Sequence, residues 1–221
     1  MAQKPPDVTP EIAPGDLTEK QLQHYLQQKE VAVDTETMGL NPLRDRLCVV
    51  QLCDRGRRAV LVQIPPIPGR TAPLPSAVGA PRLKRLLEDP GILKILHFAR
   101  FDVAAIRHHL GIAMAPVFCT RTASKLVRTY TDRHGLKDVA LELVDTEMDK
   151  TSQSTDWSRS DLSPAQLKYA TADVTLLHPI MDKLAMMLAR EGRSELAAEC
   201  FRTIPLMSEL DLMGYDHLFE H

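Results

Sequence analysis

Short apolar runs alternate along the chain with longer segments in which apolar residues recur every three or four positions. The short runs are rich in Val, Ile and Leu and predict strands at 31–36, 47–54, 59–64, 94–99 and 116–120. The longer segments predict helices at 18–29, 81–89, 101–111, 121–130, 135–145, 162–192 and 194–207. The second and third strands, separated by the turn-like DRGRR, are predicted to form an antiparallel pair next to the first. Because later strands alternate with helices, the order predicts an α/β fold: a mixed sheet flanked by helices in a single domain.

Proline and capping residues set the limits of several elements. Residues 65–81 contain six prolines and predict an irregular connection. The helix over 162–192 begins with a predicted capping box around Pro164, and Pro179 is expected to bend or break it. The polar, Pro-rich residues 1–15 predict a flexible tail, which leaves residues 16–221 as the folded domain.

Composition narrows the class of protein. The 221 residues are 44% hydrophobic, which suits one globular domain whose core needs no disulfides. The four cysteines form no CxxC pair, so a zinc site is not expected and a reducing cytoplasm is favoured. No apolar run approaches the roughly 20 residues of a membrane helix. A net charge of −2 disfavours a protein that grips a long duplex, because such proteins present a basic surface to phosphates.

The first predicted strand, VAVDTE, carries two acids on one face. Side chains alternate along a strand, so Ala32, Asp34 and Glu36 project from the same side. Two carboxylates on a partly buried face repel each other and lose hydration. The stretch contains no Lys or Arg, so a cation from elsewhere is expected between them.

Two further acids stand in apolar surroundings. Asp102 follows an apolar run at a strand-to-helix junction, where an Asp is commonly a cap or a partner of the helix dipole. Asp173 lies on an apolar helix face one turn after Tyr169. Taken singly, Asp173 would pair with a distant basic residue and Tyr169 would belong to the core. Taken jointly, the four acids and the tyrosine indicate one site.

These residues carry a family resemblance. DTE at 34–36, HFARFD at 97–102 and YATAD at 169–173 resemble the three exonuclease motifs of the DEDD superfamily, tyrosine subtype. Residues 149–177 look like ribonuclease D. The stretches 31–52, 94–104 and 118–137 and the terminal LDLMGY resemble the short nano-RNase C group. The likeness extends from about residue 30 to residue 215.

The resemblance implies a ribonuclease H-like fold and a 3′-5′ exoribonuclease that hydrolyses short oligoribonucleotides, especially dinucleotides, to 5′-mononucleotides. It implies two divalent ions, Mg²⁺ or Mn²⁺, which prefer carboxylate oxygens. Asp34 would bridge both ions, Glu36 and Asp173 would hold the nucleophile-side ion, and Asp102 the leaving-group side. Tyr169 would orient the attacking water.

The same resemblance suggests substrate contacts close to the acids. Leu40 would be a wedge between two bases, or it would pack below the strand, and the residues alone favour neither. Phe101 and His97 would each contact the substrate or belong to the core. Thr35, between the two strand acids, is also expected to contact the substrate.

Basic residues at 125–137 can bind phosphates, and the resemblance to the nano-RNase C group implies that this stretch caps the 5′ end of the substrate, with Arg133 and His134 as its main contacts. A solvated helix end is the alternative. Gln153 and Ser154 are candidate backbone contacts. Trp157 is expected beside the site or as a packing anchor.

The resemblance also implies a homo-octamer, and the apolar residues 206–219 would either join subunits or close the core. Two rival functions remain. One is a broader exonuclease of ribonuclease D type that trims structured RNA 3′ ends or degrades DNA. The other is a non-catalytic nucleotide-binding protein, which predicts the loss of a motif acid, whereas all four are present.

Overall fold

The computed structural model describes residues 2–66, 79–148, 155–215 and 217–219. Within these residues six strands form one mixed sheet: β1 (Glu11–Pro14), β2 (Glu30–Thr37), β3 (Leu47–Cys53), β4 (Ala59–Gln63), β5 (Leu93–Leu96) and β6 (Val117–Cys119). Their order across the sheet is β1-β4-β3-β2-β5-β6. The α/β mixed sheet expected from the sequence is confirmed.

Helices cover both faces of the sheet. They are α1 (Glu19–Tyr25), α2 (Pro81–Leu87), α3 (Ala99–Leu110), α4 (Thr120–Val127), α5 (Leu136–Val144), α6 (Pro164–Thr175), α7 (Leu177–Arg190) and α8 (Ser194–Leu212). None of the helices in the described ranges is long and apolar enough to cross a membrane. The four cysteine thiols are free.

The strand pairing decides which ends of the strands and helices lie at the same edge of the sheet. β2 pairs antiparallel with β3, and β3 antiparallel with β4, as the sequence predicts. β5 runs parallel to β2, with Ala32 opposite Ile95, and β6 runs parallel to β5. The carboxyl ends of β2, β5 and β6 therefore lie at one edge of the sheet, together with the start of α3 and of α4.

Alternation along β2 separates two apolar layers. Val31 and Val33 face a cluster that includes residues of α1, α2 and α3, whereas Ala32 faces a cluster with residues of α4, α5 and α7. Asp34 and Glu36 continue the face of Ala32 towards the carboxyl end of the strand. The acids thus begin where the core on that side of β2 ends.

The long predicted helix is divided into two. The Ser163 side chain accepts from the backbone of Gln166, and the Gln166 side chain accepts from the backbone of Ser163, which gives the expected capping box at the start of α6. α6 ends at Thr175 and α7 begins at Leu177, so the break that Pro179 predicts is confirmed. Pro179 has no N–H to donate to the carbonyl four residues earlier, which favours an end to α6 there.

Two predicted boundaries are wrong. Residues 1–15 are not simply a flexible tail: Glu11–Pro14 form β1, parallel to β4, with Ala13 buried. The Gln3 N–H donates to Asp145 O at 2.7 Å. An edge strand is held by main-chain hydrogen bonds, so a polar, Pro-rich segment can form one without an apolar pattern.

The second wrong boundary is the end of the last helix: α8 extends to Leu212, past the predicted end at 207. Residues 67–78 of the proline-rich connection lie outside the described residues, as do Gln153 and Ser154.

Candidate active site

Three acids converge where α6 packs over β2. One carboxylate oxygen from each of Asp34, Glu36 and Asp173 lies within 4.8 Å of the other two. The period of two along β2 brings the first two acids to the same face, and α6 lies on that face. This is the donor set and spacing that a divalent cation requires.

The fourth acid reaches the cluster from the other side of β2. Asp102 lies in the first turn of α3 and is buried. Thr35 points to the opposite face from Asp34, and its hydroxyl donates to Asp102 Oδ1 at 2.6 Å. Asp102 is not the cap of α3, because the cap position is Phe98. The predicted substrate contact Thr35 thus has its hydroxyl engaged in orienting an acid.

Burial and mutual repulsion disfavour the charged forms of the clustered acids. Burial raises the pKa of Asp34 to about 7. Burial and then repulsion from Asp34, Asp173 and Asp102 raise the pKa of Glu36 to about 10. Burial and the charge of Asp34 also raise the pKa of Asp102 well above its ordinary value. In the described ranges no Lys or Arg forms an ion pair with Asp34, Glu36 or Asp102. A divalent metal ion among these oxygens would reverse the shifts, so the residues fit one.

Tyr169 lies one turn before Asp173 on α6, as predicted. Burial and the neighbouring Asp173 carboxylate raise the pKa of the Tyr169 phenol, and its hydroxyl is hydrogen-bonded to that carboxylate. Trp157 is buried with its ring centroid 6.1 Å from that of Tyr169. Trp157 is therefore a packing anchor that also supports the site. The phenol stays protonated at neutral pH and acts as a hydrogen-bonding group.

Gln51 is a site residue that sequence reasoning missed. It lies opposite Asp34 in the β2–β3 pairing, and its Nε2 donates to Glu36 Oε1 at 3.3 Å. The side chain is fully buried. Its signal in the sequence was a single amide inside the apolar run LCVVQLC.

A cleft of about 780 Å³ opens in front of the acids. Its walls combine the acids with apolar, aromatic and basic side chains. The apolar, aromatic and basic residues that line it include Leu40, His97, Phe98, Phe101, Arg121 and Lys137. Such a lining can receive both the bases and the phosphates of an oligonucleotide.

Leu40 stands on the rim of the cleft and is 88% exposed. This exposure excludes the alternative in which Leu40 packs below the strand. The turn before it depends on Gly39, because a Cβ there would lie 2.3 Å from Asp45 Oδ2. Asp45 is itself held by the Asn41 N–H, which donates to Oδ2 at 2.9 Å. The structure therefore presents Leu40 to the cleft on a tightly closed loop.

His97 and Phe101 also line the cleft, and both are half-buried. His97 Nδ1 lies 2.8 Å from the hydroxyl of Thr120 at the start of α4. Each residue is thus partly packed in the protein and partly exposed on the cleft wall. The sequence left open whether each belongs to the core or contacts the substrate, and these positions are compatible with both.

The expected cap residues Arg133 and His134 are not on the cleft wall. His134 Nδ1 lies 2.9 Å from Ser124 Oγ, and the Arg133 carbonyl accepts from Arg128 Nη1 at 2.7 Å. Arg128 is buried and paired with Glu142, so the predicted basic helix ends at Val127 and folds into a turn. Within the same stretch it is Lys137 that lines the cleft.

Phe98 and Arg121 are further cleft residues that sequence reasoning missed. Phe98 has a left-handed backbone, with φ 66° and ψ 41°, and is 49% exposed. The Arg121 guanidinium carbon lies 4.3 Å from the centroid of the Phe98 ring. Their positions depend on the backbone before α3 and on the proximity of β5 and β6, which residue pattern alone does not reveal.

Comparison with known proteins gives consistent matches. A family model described as a 3′-5′ exonuclease matches residues 10–189. Ribonuclease D of Acidiphilium cryptum (strain JF-5) is 35% identical over 169 residues, which are 76% of this chain and 40% of that protein. Two structures of NrnC from Brucella melitensis are each 46% identical and cover 97% of this chain and 100% of theirs. The TM-score is 0.87 for the one bound to pGG and 0.86 for the one with bound Mg²⁺. The chain spans about two fifths of the length of the curated ribonuclease D relatives it matches.

Proposed function

Because this chain belongs to the 3′-5′ exonuclease family, we propose that it is a metal-dependent exoribonuclease that hydrolyses short oligoribonucleotides, dinucleotides especially, to 5′-mononucleotides. One observation carries the proposal. The carboxylates of Asp34, Glu36 and Asp173 converge within 4.8 Å at the base of a cleft, with no basic side chain paired to Asp34 or Glu36 in the described ranges. Clustered carboxylates at this spacing suit phosphodiester hydrolysis with divalent metal ions.

Two Mg²⁺ or Mn²⁺ ions would be held by the four acids. Asp34 would contribute to holding both, Glu36 and Asp173 would act on the side of the nucleophile, and Asp102 on the side of the leaving group. When bound, such ions supply Lewis-acid stabilisation of the attacking and leaving oxygens. Thr35 and Gln51 orient Asp102 and Glu36 through the hydrogen bonds described above.

Tyr169 positions the attacking water in this proposal. Its hydroxyl donates to Asp173 and offers its lone pairs to a water molecule. The raised pKa keeps the proton on Tyr169 Oη at neutral pH, so the phenol orients the water and does not act as a base. Water then attacks phosphorus, the bond to the 3′ oxygen of the upstream nucleotide breaks, and the proton lost by the water reaches that 3′ oxygen by way of solvent.

Leu40 and Phe101 would separate and support the bases. The exposed Leu40 side chain on the cleft rim can insert between the last two bases, and the ring of Phe101 offers a stacking surface. Among the cleft side chains, His97 and Lys137 can make polar contacts with sugar or phosphate. Arg133 and His134 as contacts to the 5′ end stay a prediction, and the geometry favours Lys137 for that role.

Preference for short RNA has three supports. The Brucella NrnC bound to pGG is 46% identical over nearly the whole chain. The cleft of about 780 Å³ lies within the range of roughly 300–1,000 Å³ that is typical of small-ligand sites. A long strand would also need a basic track, and the net charge of this chain is −2.

The broader exonuclease of ribonuclease D type is the second candidate, favoured by the 35% identity to the Acidiphilium enzyme. Turnover of end-labelled RNAs of graded length, from two nucleotides upwards, separates the two. We expect the dinucleotide to be hydrolysed fastest, release of 5′-mononucleotides from the 3′ end, dependence on Mg²⁺ or Mn²⁺, and no activity with a chelator. Equal rates for all lengths, or for DNA of the same sequences, would favour the broader enzyme.

Self-association completes the proposal. Apolar side chains near the carboxyl end of the chain are more than half exposed: Leu206, Met213, Tyr215, Leu218 and Phe219. Such a concentration is typical of a surface that a partner covers. We assign it to contacts between copies of this chain in a homo-octamer, and light scattering of the purified protein tests the subunit number.

A further inference from the structure

His109 lies two helical turns beyond Asp102 on α3, and the proposed reaction leaves it without a role. Its side chain is buried, and this burial is the main cause that lowers the pKa of the imidazole to about 4. The ring is therefore neutral near pH 7 and carries a single N–H. A buried polar group needs a partner, and the partner of His109 belongs to the loop that presents Leu40.

The Leu40 loop, residues 39–45, has one buried member. Asp45 is 9% exposed, whereas the six residues before it are partly or largely exposed. His109 Nε2 lies 3.1 Å from the Asp45 carbonyl oxygen, and the Pro42 backbone is also within hydrogen-bonding reach of the ring. His109 thus contacts the loop at the residue that anchors it in the protein.

Asp45 connects this contact to both neighbours of Leu40. Its carboxylate accepts from the Asn41 N–H at 2.9 Å, and the Asp45 N–H donates to the Asn41 carbonyl at 2.7 Å. The same carboxylate fills the space beside Gly39, where a Cβ would lie 2.3 Å from Asp45 Oδ2. The residues before and after Leu40 are therefore held by Asp45, and Asp45 is held by His109.

α3 links this loop to the acid cluster. Asp102 and His109 are seven positions apart, so they project from nearly the same face of α3, with a separation of about 10 Å along the helix axis. Asp102 is bonded to Thr35 on β2, and His109 to the loop that follows β2. One helix therefore extends from the acid assigned to the leaving group to the loop that carries Leu40.

We propose that His109 is a positioning residue that sets the place of Leu40 between the two bases of a dinucleotide. The inference rests on the proposed function, because Leu40 separates bases only in that reaction. His109 is not part of the cleft lining and acts through Asp45 and the loop. Without its N–H the loop can move away from the bases, which weakens substrate binding while the acids keep their geometry.

Two substitutions of His109 and a matched control separate this role from a general contribution to stability. His109→Leu fills the space without a donor, and His109→Gln restores an N–H group. His178→Leu is the control, because His178 is also buried and its Nε2 lies 3.1 Å from a backbone carbonyl, that of Cys53. Cys53 is at the other end of β3 from the Leu40 loop.

Steady-state kinetics with the dinucleotide pGG in saturating Mg²⁺ gives the first readout. His109→Leu is expected to raise the KM by roughly 3- to 10-fold, the worth of one neutral hydrogen bond, and to change kcat less than twofold. His109→Gln should recover most of the affinity, and His178→Leu should leave the KM unchanged.

The Leu40→Ala background tests whether His109 acts through Leu40. There His109→Leu should change the KM less than twofold, because the side chain that it positions is absent. A fall in kcat with an unchanged KM, an equal rise of the KM in His178→Leu, or an effect that adds to that of Leu40→Ala would overturn the assignment.

Hydrogen exchange over residues 38–46, followed by mass spectrometry without substrate, gives a readout that does not need the reaction. His109→Leu should accelerate exchange in this segment, and His178→Leu should not. Faster exchange in His109→Leu together with a wild type that does not hydrolyse pGG would refute the proposed function and support the hold of His109 on the loop. Hydrolysis of pGG by the wild type with unchanged exchange and KM in His109→Leu would overturn the inference and leave the proposed function intact.

Discussion

Thr35 and Asp102 are 67 positions apart in the chain, and the Thr35 hydroxyl donates a 2.6 Å hydrogen bond to the Asp102 carboxylate. The bond joins the two sides of the candidate site, since Thr35 lies between Asp34 and Glu36 on β2 whereas Asp102 belongs to α3. It fixes the orientation of an acid whose burial otherwise disfavours the charged form. A neutral side chain thereby contributes to the geometry of a charged site.

Thr35→Val is expected to lower the apparent affinity for Mg²⁺ by about 10- to 100-fold, the range found for partners of metal ligands. Valine keeps the shape of threonine but lacks the hydroxyl that orients Asp102. The activity is titrated with Mg²⁺ for the wild type, Thr35→Val and Thr35→Ser. Serine retains the hydroxyl and should restore most of the affinity. A valine variant with an unchanged Mg²⁺ titration would contradict the role of the bond.

Asp34→Asn is expected to abolish metal-dependent turnover, by about 10³-fold or more, because residues that act as a unit in catalysis lose most activity when any one is removed. The fold should be retained, and without metal the variant should be more stable than the wild type, since one repelling acid is gone. Thermal unfolding with and without Mg²⁺ measures both effects. Mg²⁺ should raise the melting temperature of the wild type and have little effect on the variant. Normal turnover in Asp34→Asn would refute the site assignment.

Tyr169→Phe is expected to lower kcat by about 10²-fold and to leave KM for the dinucleotide nearly unchanged. The phenol holds a proton and touches the attacking water, not the substrate, so its loss affects turnover more than binding. Steady-state kinetics in saturating Mg²⁺ separates the two parameters. Since Tyr169 also packs on Trp157, thermal unfolding of the variant serves as the control for structural damage. An unchanged kcat would remove the tyrosine from the mechanism.

Stability should fall at acid pH because of His109. Burial and the neighbouring His108 and Arg46 lower the pKa of His109 to about 4, while its Nε2 hydrogen-bonds the Asp45 carbonyl at 3.1 Å. Near pH 6.5 and below, the unfolded chain binds a proton at this residue, whereas the folded protein stays neutral until about pH 4. Protonation therefore favours the unfolded state, and stability is lost as the pH falls from about 6.5 to 4.

Urea unfolding at several pH values between 7 and 4 measures this loss. Other groups titrate in the same range, so the comparison is with His109→Gln, which retains a polar side chain but cannot take up a proton. The free energy of unfolding should depend less steeply on pH in the variant than in the wild type. Equal slopes would show that His109 does not contribute to the acid sensitivity.

Periodicity predicted the direction of Asp34, Glu36, Tyr169 and Asp173, because each lies on a regular element whose repeat sets it, whereas the role of Asp102 was implied by the family resemblance. Asp34 and Glu36 follow the alternation of β2, and Tyr169 precedes Asp173 by one helical turn. Phe98 and Arg121 depend instead on one left-handed residue and on which strands become neighbours. These are tertiary facts, and no local pattern marks them.

Two differences between the predicted and the observed elements have the same physical origin. The helix predicted over 121–130 ends at Val127, because the Arg128 guanidinium pairs with Glu142 and donates to the Arg133 carbonyl in the turn that follows. The predicted tail over residues 1–15 treated polarity as a lack of structure, whereas main-chain pairing with β4 makes Glu11–Pro14 a strand. In both places a specific partner elsewhere in the chain decides the conformation.

Leu40→Ala tests whether Leu40 inserts between two bases. Because the side chain is exposed, an effect on substrate binding can be separated from an effect on stability. At 88% exposure Leu40 contributes little to the core, so the free energy of unfolding should change by less than about 0.5 kcal/mol. Loss of its contact with two bases should raise the KM for a dinucleotide by roughly tenfold, since apolar contact of this size is worth about 1–2 kcal/mol.

Gly39→Ala provides an independent test, because it leaves Leu40 in place but disturbs the loop that presents it. The added Cβ would lie 2.3 Å from Asp45 Oδ2, so this carboxylate must shift, and the hydrogen bond that it accepts from the Asn41 N–H is disturbed. The KM for the dinucleotide should rise in this variant too, and the double variant should be no worse than the more impaired single one, since both act on the same contact. Additive effects of the two changes would mean that the loop acts on the substrate by some route other than Leu40.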